Sequence, residues 1–376
     1  MLSVIRPTLV IDEERVRKNI EHMARKAKNN AMSFRPHFKT HQSAEIGAWF
    51  RDYGVKKITV SSLQMACYFA ESGWDDITIA FPVNVCELDL MQNLASTVHL
   101  NLLVSSSETA DIVARDTKTD VGIFIEIDTG YKRSGVDIND MVSLERILVR
   151  LGKNKHLHFK GFLTHTGQTY LATGPEQIRR ISTETFAQLR KLKEYFRSAY
   201  PHAIVSVGDT PGCAVMDNFI GIDEIRPGNF VFYDLMQLQL GTCQPDEVAV
   251  AMACPVVAVY PERNEFVIYG GAIHFSKEFI TVPEKGSIFG MLVYFKNGKF
   301  LDLEPDIWIS RLSQEHGTVK TIPHLAAHFS IGDILFFLPV HSCLTANLMR
   351  EYYTPSGEII QTMNSLSKLH CLRKLL

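Results

Sequence analysis

The chain has 376 residues, a formal net charge of -2, 46% apolar and 21% charged residues, the make-up of a globular protein with room for more than one domain. So small a net charge gives no electrostatic reason to expect nucleic acid or an anionic membrane as a partner. No apolar run reaches the roughly 20 residues that span a bilayer, and Met1-Leu2-Ser3-Val4-Ile5-Arg6-Pro7 lacks the basic start, long apolar stretch and cleavage site of a signal peptide.

Thr8–Ile11 reads as a strand ahead of a long amphipathic helix, Glu13–Lys28, and is expected to pair into a second domain. From there short apolar, β-branched runs alternate with helical patterns. The strands are Met32–Phe38, Lys57–Val60, Ile77–Ala80, Val98–Leu103, Val121–Ile127, Phe159–Leu163, Ile204–Val207 and Glu224–Ile225 running on toward Val231. Between them lie Ser43–Asp52, Leu63–Glu71, Ser107–Arg115, Ile138–Leu151 and Glu176–Ala199, the last with Ile178, Ile181, Phe186, Leu189, Leu192 and Phe196 near helical spacing. About eight βα units in some 230 residues fit a closed (β/α)8 barrel better than an open doubly wound sheet, and no glycine-rich dinucleotide fingerprint follows the first strand. Near residue 245 the pattern changes to short strands separated by turns: Val248–Tyr260, Glu265–Tyr269, Ile288–Phe295, Gly317–Val319 and Ile334–Leu338. The expected organisation is a barrel over 10–244 followed by an antiparallel β domain made of 1–9 and 245–376. The seven cysteines, Cys67, Cys86, Cys213, Cys243, Cys254, Cys343 and Cys371, show no CxxC spacing and read as reduced thiols of a cytoplasmic protein.

In such a barrel the active site lies where the strands end at their C-termini. After the first strand comes Arg35-Pro36-His37-Phe38-Lys39-Thr40-His41. A lysine becomes a nucleophile or base only when positive neighbours or burial lower its pKa, and Arg35, His37 and His41 are placed to supply that field. After the fifth comes Asp128-Thr129-Gly130-Tyr131-Lys132-Arg133-Ser134-Gly135, and after the sixth His165-Thr166-Gly167-Gln168-Thr169-Tyr170. Gly208-Asp209-Thr210-Pro211-Gly212 and Glu224-Ile225-Arg226-Pro227-Gly228-Asn229 follow. Each alone reads equally as a turn or a helix start; together they are polar, glycine-bearing and aimed at one centre. The late glycine loops and the Thr210 hydroxyl suit a phosphate, and with a lysine after strand one the layout suits pyridoxal phosphate. A second cluster is His341-Ser342-Cys343. If Val340–Leu344 is extended, His341 and Cys343 share a face, and imidazole plus thiolate suits a divalent metal such as Zn²⁺. The bland alternative is a core cysteine beside a satisfied histidine.

Arg-Pro-His-x-Lys-Thr-His at 35–41, Asp-Thr-Gly-x-x-Arg-x-Gly at 128–135, His-x-Gly-Gln-x-Tyr at 165–170, Gly-x-Thr-Pro at 208–211, Arg-Pro-Gly-x-x-x-x-Tyr-Asp at 226–234 and His-x-Cys at 341–343 occur in this order. The set resembles the D-threonine aldolase / D-serine dehydratase family, metal-assisted relatives of alanine racemase with the fold-type III pyridoxal phosphate architecture. The resemblance implies that Lys39 is the Schiff-base lysine and handles the α-proton. It implies Arg133 near the cofactor's phenolic oxygen, and His165 and Tyr170 lining the ring or substrate side as further catalytic residues. Thr210, Gly228 and Asn229 would hold the phosphate, with Tyr233 of the same motif also at the cofactor. Tyr170 and Arg226 are both candidates for the pyridine nitrogen. His341 and Cys343 would bind a divalent metal, most simply zinc. In this family the dehydratases look like His-x-Cys and the aldolases like His-x-Asp, so Cys343 favours dehydration of a D-3-hydroxy amino acid over aldol cleavage or racemisation. A homodimer acting on a small D-amino acid is implied. The non-enzymatic alternative is a pyridoxal phosphate-binding regulatory protein, against which the extra β domain argues.

Overall fold

The computed structural model describes residues 3–363; Cys371 lies outside that range. The chain divides into two compact units.

One unit contains His22–Lys39 and Gly47–Gly228. Its strands run, in spatial order, Ser33–Phe34, Glu224–Ile225, Ile204–Val207, Leu157–Thr164, Val121–Asp128, His99–Val104, Asp76–Pro82 and Ile58–Val60, every neighbouring pair parallel. A parallel bridge between His37 and Thr59, with Phe38 N–H donating to Thr59 O and Thr59 N–H to Pro36 O, each at 2.9 Å, joins the last strand to the first. The ring closes, as the βα alternation requires. Helices fill the crossovers, among them Leu63–Glu71 and Ser107–Asp116, whose starts are set by Ser62 and Ser106 accepting from Met65 N–H and Thr109 N–H. Pro175 opens the longest, Pro175–Phe196.

The first barrel strand is much shorter than Met32–Phe38. Pro36 has no N–H for the ladder and takes part only as an acceptor, so regular pairing stops at Phe34 and resumes as a single bridge at His37. Parallel partners share a face, and Leu103, Phe124 and Leu163, packed with Ile204, form an apolar layer. Leu163 is in register with Ser206 and Ser206 with Glu224, so that face continues into a polar layer. There Arg35 donates from Nε to Glu224 Oε2 at 2.9 Å and from Nη1 to Asp76 Oδ1 at 2.6 Å. Ser206 links Glu224 to Arg226, giving its hydroxyl proton to Glu224 Oε1 (2.8 Å) and accepting from Arg226 Nε (2.7 Å).

The other unit contains the chain up to Glu21, Thr40–Ile46 and Asn229–Thr362. Six antiparallel strands close on themselves in the order Glu265–Tyr269, His316–Thr321, Lys299–Leu312, Gly290–Lys296, Ile334–Pro339 and Val250–Tyr260, the last pairing back to the first. Thr8–Ile11 pairs antiparallel with Val250–Tyr260, confirming the expected pairing of this strand outside the barrel. The 14-residue strand Lys299–Leu312 has no counterpart among the strands expected from sequence; Pro305 and the charges at Asp302, Glu304 and Asp306 hide its apolar alternation.

Among the described residues no helix is long and apolar enough to cross a membrane. Cys86, Cys213, Cys243, Cys254 and Cys343 are free thiols.

Candidate active site

Lys39 ends its segment of the barrel unit, in the turn that follows the His37 bridge, and its side chain is exposed. Its backbone N–H donates to His37 Nδ1 at 3.3 Å. The cationic field expected from its neighbours is weaker than the sequence suggests. Arg35 is buried and ion-paired with both Glu224 and Asp76, which cancels its charge locally. His41, fully buried, is pushed down to about 3 chiefly by desolvation, and Ser43 N–H donates to its Nδ1 at 3.1 Å, a bond that needs the unprotonated nitrogen, so the ring is neutral at pH 7.

His165 stands at the end of the sixth barrel strand. Its Nδ1 lies 2.5 Å from Gly208 O, and because a carbonyl only accepts, Nδ1 carries the proton and Nε2 a lone pair. Burial first, then the positive charges of Lys39, Arg133 and Arg226, hold its pKa down at about 3. That electrostatic contact places Lys39 and His165 at one centre. The rings of Tyr131 and Tyr170 lie 5.9 Å and 6.0 Å from His165, and Arg133 sits over Tyr131 at 5.6 Å. Gly167 makes this approach possible, since a Cβ there would lie 2.3 Å from the Tyr131 ring. Thr210, the first residue of the helix Thr210–Val215, donates its N–H to Tyr170 Oη at 3.3 Å. Arg226 is buried, with Nη2 donating to Thr164 O at 2.6 Å, and burial lowers its pKa to about 10. Gly228 is buried at the end of the same segment, and the preceding Pro227 carbonyl accepts from His37 N–H at 2.9 Å.

Two buried carboxylates in this unit were not singled out from sequence. Asp209 caps Thr210–Val215 through Gly212 N–H (2.6 Å), accepts from Thr169 Oγ1 (2.9 Å), and is raised to about 6 by burial. Glu126 accepts from Ser134 Oγ at 2.8 Å and is raised by burial. From sequence the cap of the Thr210–Val215 helix falls at Thr210, whereas the structure puts it at Asp209 with Thr210 opening the helix; Glu126 looked like one more position in a β-run.

The second cluster lies in the other unit and corrects the extended reading of residues 340–344. His341 is the N-cap residue and Ser342–Met349 is a helix, so Cys343 sits in its first turn. The helix starts because its free N-terminal amide finds a carboxylate: Ser342 N–H donates to Asp234 Oδ2 at 2.9 Å. His341 and Cys343 still converge. Burial works against a charged His341, but the hydrogen bond and charge of Cys343, then the charges of Asp234 and Glu278, raise its pKa to about 9. Thr40 Oγ1 lies 3.2 Å and Asn229 Nδ2 3.6 Å from Cys343 Sγ. Asn229 also donates to Asp234 Oδ2 at 2.6 Å and to Ser342 Oγ at 3.0 Å. Tyr233 is buried with φ +49°, a left-handed conformation that side chains rarely adopt. Among the described residues no three His, Cys, Asp or Glu side chains gather as a metal cluster; His341 and Cys343 are a pair.

Residues 11–235 match the family described as alanine racemase, N-terminal domain, and residues 249–355 match the "Putative serine dehydratase domain". D-threo-3-hydroxyaspartate dehydratase of Delftia sp. is 29% identical over 97% of this chain and 98% of its own. D-serine dehydratase of Dictyostelium discoideum is 28% identical over 94% and 93%. The solved structure of the Delftia enzyme superposes with a TM-score of 0.88 at 27% identity, covering 96% of this chain and 98% of that one. D-threonine aldolase of Filomicrobium marinum shares the fold, with a TM-score of 0.78 at 20% identity over 95% and 97%. The resemblance drawn from the six motifs, and the barrel-plus-β architecture it implied, are borne out. The chain belongs to the alanine racemase N-terminal domain family, in the branch whose barrel is followed by a serine dehydratase-type β domain.

Proposed function

We propose that this protein is a pyridoxal phosphate-dependent, metal-assisted lyase that dehydrates a D-3-hydroxy amino acid to a 2-oxo acid and ammonia. One observation carries the choice of dehydration: the convergence of His341 and Cys343 at one helix N-terminus. The related D-threo-3-hydroxyaspartate dehydratase has been solved with a histidine, and separately a cysteine two positions further on, replaced by alanine, the cysteine mutant in a metal-free form.

The residues present fit both groups. An exposed lysine amine at a strand end accompanies a buried polar atom that has no hydrogen-bond partner, Gln168 Oε1, in the loop after the sixth strand. In the other unit, imidazole and thiolate form a borderline-soft donor pair. Bound pyridoxal phosphate supplies an electron sink for the α-carbon, and a divalent metal supplies Lewis acidity for the β-hydroxyl.

Lys39 Nζ would hold the cofactor and accept the α-proton once the substrate amine takes its place. His165, neutral with its proton on Nδ1, presents Nε2 as an acceptor and adds no charge of its own. Thr210 and Gly228 would position the phosphate, and Arg133 the phenolic oxygen. Arg226 commits Nε and Nη2 to Ser206 and Thr164, which favours Tyr170 for the pyridine nitrogen. His341 and Cys343 would hold zinc. The proposal extends to a cytoplasmic homodimer; the five free thiols support a reducing compartment.

The test is product analysis with D-serine, D-threonine and D-threo-3-hydroxyaspartate. A 2-oxo acid plus ammonia supports dehydration. Glycine plus an aldehyde replaces it with aldol cleavage, inversion alone with racemisation, and bound cofactor without turnover with a regulatory role.

A further inference from the structure

Asp234 is a buried carboxylate, 1% exposed, at which four donors from three chain segments meet. Its Oδ1 accepts from Gln237 N–H at 3.0 Å. Its Oδ2 accepts from Ser342 N–H at 2.9 Å, Ser342 Oγ at 3.2 Å and Asn229 Nδ2 at 2.6 Å. So many donors fix the position of a carboxylate. The same Oδ2 lies 3.7 Å from His341 Nδ1, and that nitrogen is buried without a hydrogen-bond partner. A buried ring nitrogen left unpaired is costly, and among the described residues the carboxylate within ion-pair reach of His341 is the one held rigidly beside it.

Resting on the reading of His341 and Cys343 as a metal pair, we propose that Asp234 is the positioning residue of that pair. It accepts a hydrogen bond from His341 Nδ1–H, fixes the ring tautomer and leaves Nε2 to the metal beside the Cys343 thiolate. A ligand histidine ordinarily gives its second ring N–H to such a partner, and the partner raises the basicity of the nitrogen that binds. The architecture assigns Asp234 two tasks with one oxygen, because the Ser342 amide it accepts from starts the helix that carries Cys343. Imidazole and thiolate are thereby referred to the same fixed point. Asn229 completes this arrangement, since its amide bridges Asp234, Ser342 and Cys343.

The experiment titrates metal-stripped, full-length protein with Zn²⁺ against a chromophoric chelator. His341→Ala and Cys343→Ala are expected to lose zinc binding, and their retention of wild-type affinity would overturn the metal pair itself. Asp234→Asn keeps the volume but places an amide where four donors converge and weakens acceptance from Nδ1. Its zinc affinity is expected to fall by roughly 10–100-fold, with Asp234→Glu recovering part of the loss. Thr345→Val, which removes a buried hydrogen bond to Phe275 O elsewhere on the same helix, is expected to lower the melting temperature and leave zinc affinity unchanged. Wild-type affinity in a folded Asp234→Asn, while His341→Ala binds none, would overturn the positioning role and leave the metal pair standing. Should Asp234→Asn not fold, the wild-type protein decides. A two-bond ¹H–¹⁵N spectrum of zinc-loaded, histidine-labelled protein, assigned with His341→Ala, is expected to show His341 protonated at Nδ1 and metallated at Nε2. The reverse tautomer sinks the proposal.

Discussion

The carbonyl oxygen of Gly208 holds the Nδ1 proton of His165, so a half-buried ring beside three cations keeps its lone pair on Nε2. Two barrel strands impose this tautomer: His165 directly follows the sixth and Gly208 the seventh.

The first prediction concerns pH and stability. His165 and His41 are each held at about 3 in the fold, against about 6.5 in an unfolded chain. Between those values the unfolded chain binds protons that the folded one refuses, so stability is fully present above about pH 6.5 and falls on acidification. Each histidine contributes up to about 1.4 kcal/mol per pH unit. Asp209, raised to about 6 by burial, works oppositely: its contribution is present below about pH 3.8 and is lost as pH rises through 6. Two histidines outweigh one aspartate. Urea midpoints are expected to drop from pH 7 to pH 5, with a flatter profile in His165→Gln; a level profile in the wild type contradicts the buried neutral rings.

Lys39→Ala is expected to abolish the visible absorbance of cofactor-loaded protein and to lower turnover by about 10²–10⁴-fold. Its fold should be intact, because the side chain is exposed. A coloured, active Lys39→Ala protein would place the covalent lysine elsewhere.

Glu224 ties Arg35 to Ser206 inside the barrel and its side chain is 1% exposed. Glu224→Ala leaves Arg35 with Asp76 alone and is expected to cost about 3–5 kcal/mol in chemical denaturation. A loss below about 1 kcal/mol, the range of a surface pair, would show that this ion pair is not buried as described.

Gly161 has φ +144°, and a Cβ there would lie 1.9 Å from Ile204 O on the adjacent barrel strand. Gly161→Ala is expected to yield little soluble protein, whereas Gly130→Ala, with no atom within 4 Å of the added carbon, pays only the backbone strain of its positive φ. Equal soluble yields would contradict the close strand approach at Gly161.

Chelation separates the reaction classes. Removing the metal is expected to abolish lyase turnover while the cofactor's absorbance persists, with zinc restoring the rate. Turnover indifferent to chelation points instead to racemisation.

Much of this was legible along the chain. The alternation of β-branched runs with amphipathic helices encodes the barrel, because period 2 and period 3.6 are local properties. The residues proposed for the cofactor lie in the loops after those strands, so Lys39, Arg133, His165 and Thr210 could be named by position. His341 and Cys343 were found as a spaced pair although the backbone carrying them is helical rather than extended. A two-residue spacing is compatible with both, and only Asp234, more than a hundred residues earlier, decides for the helix.

Sequence by itself therefore determined the fold class, the strand ends that bear chemistry and the types of donor available. The tertiary structure decided which charges survive. Arg35 looked like a field on Lys39 until the barrel brought it Asp76 and Glu224, 41 and 189 residues away. His41 looked like part of the same field until burial made it neutral. Asp234 looked like the end of a motif until three segments met on it. Spacing is written locally, but burial and ion pairing depend on residues far apart in the chain, and closure of the fold is what brings them together.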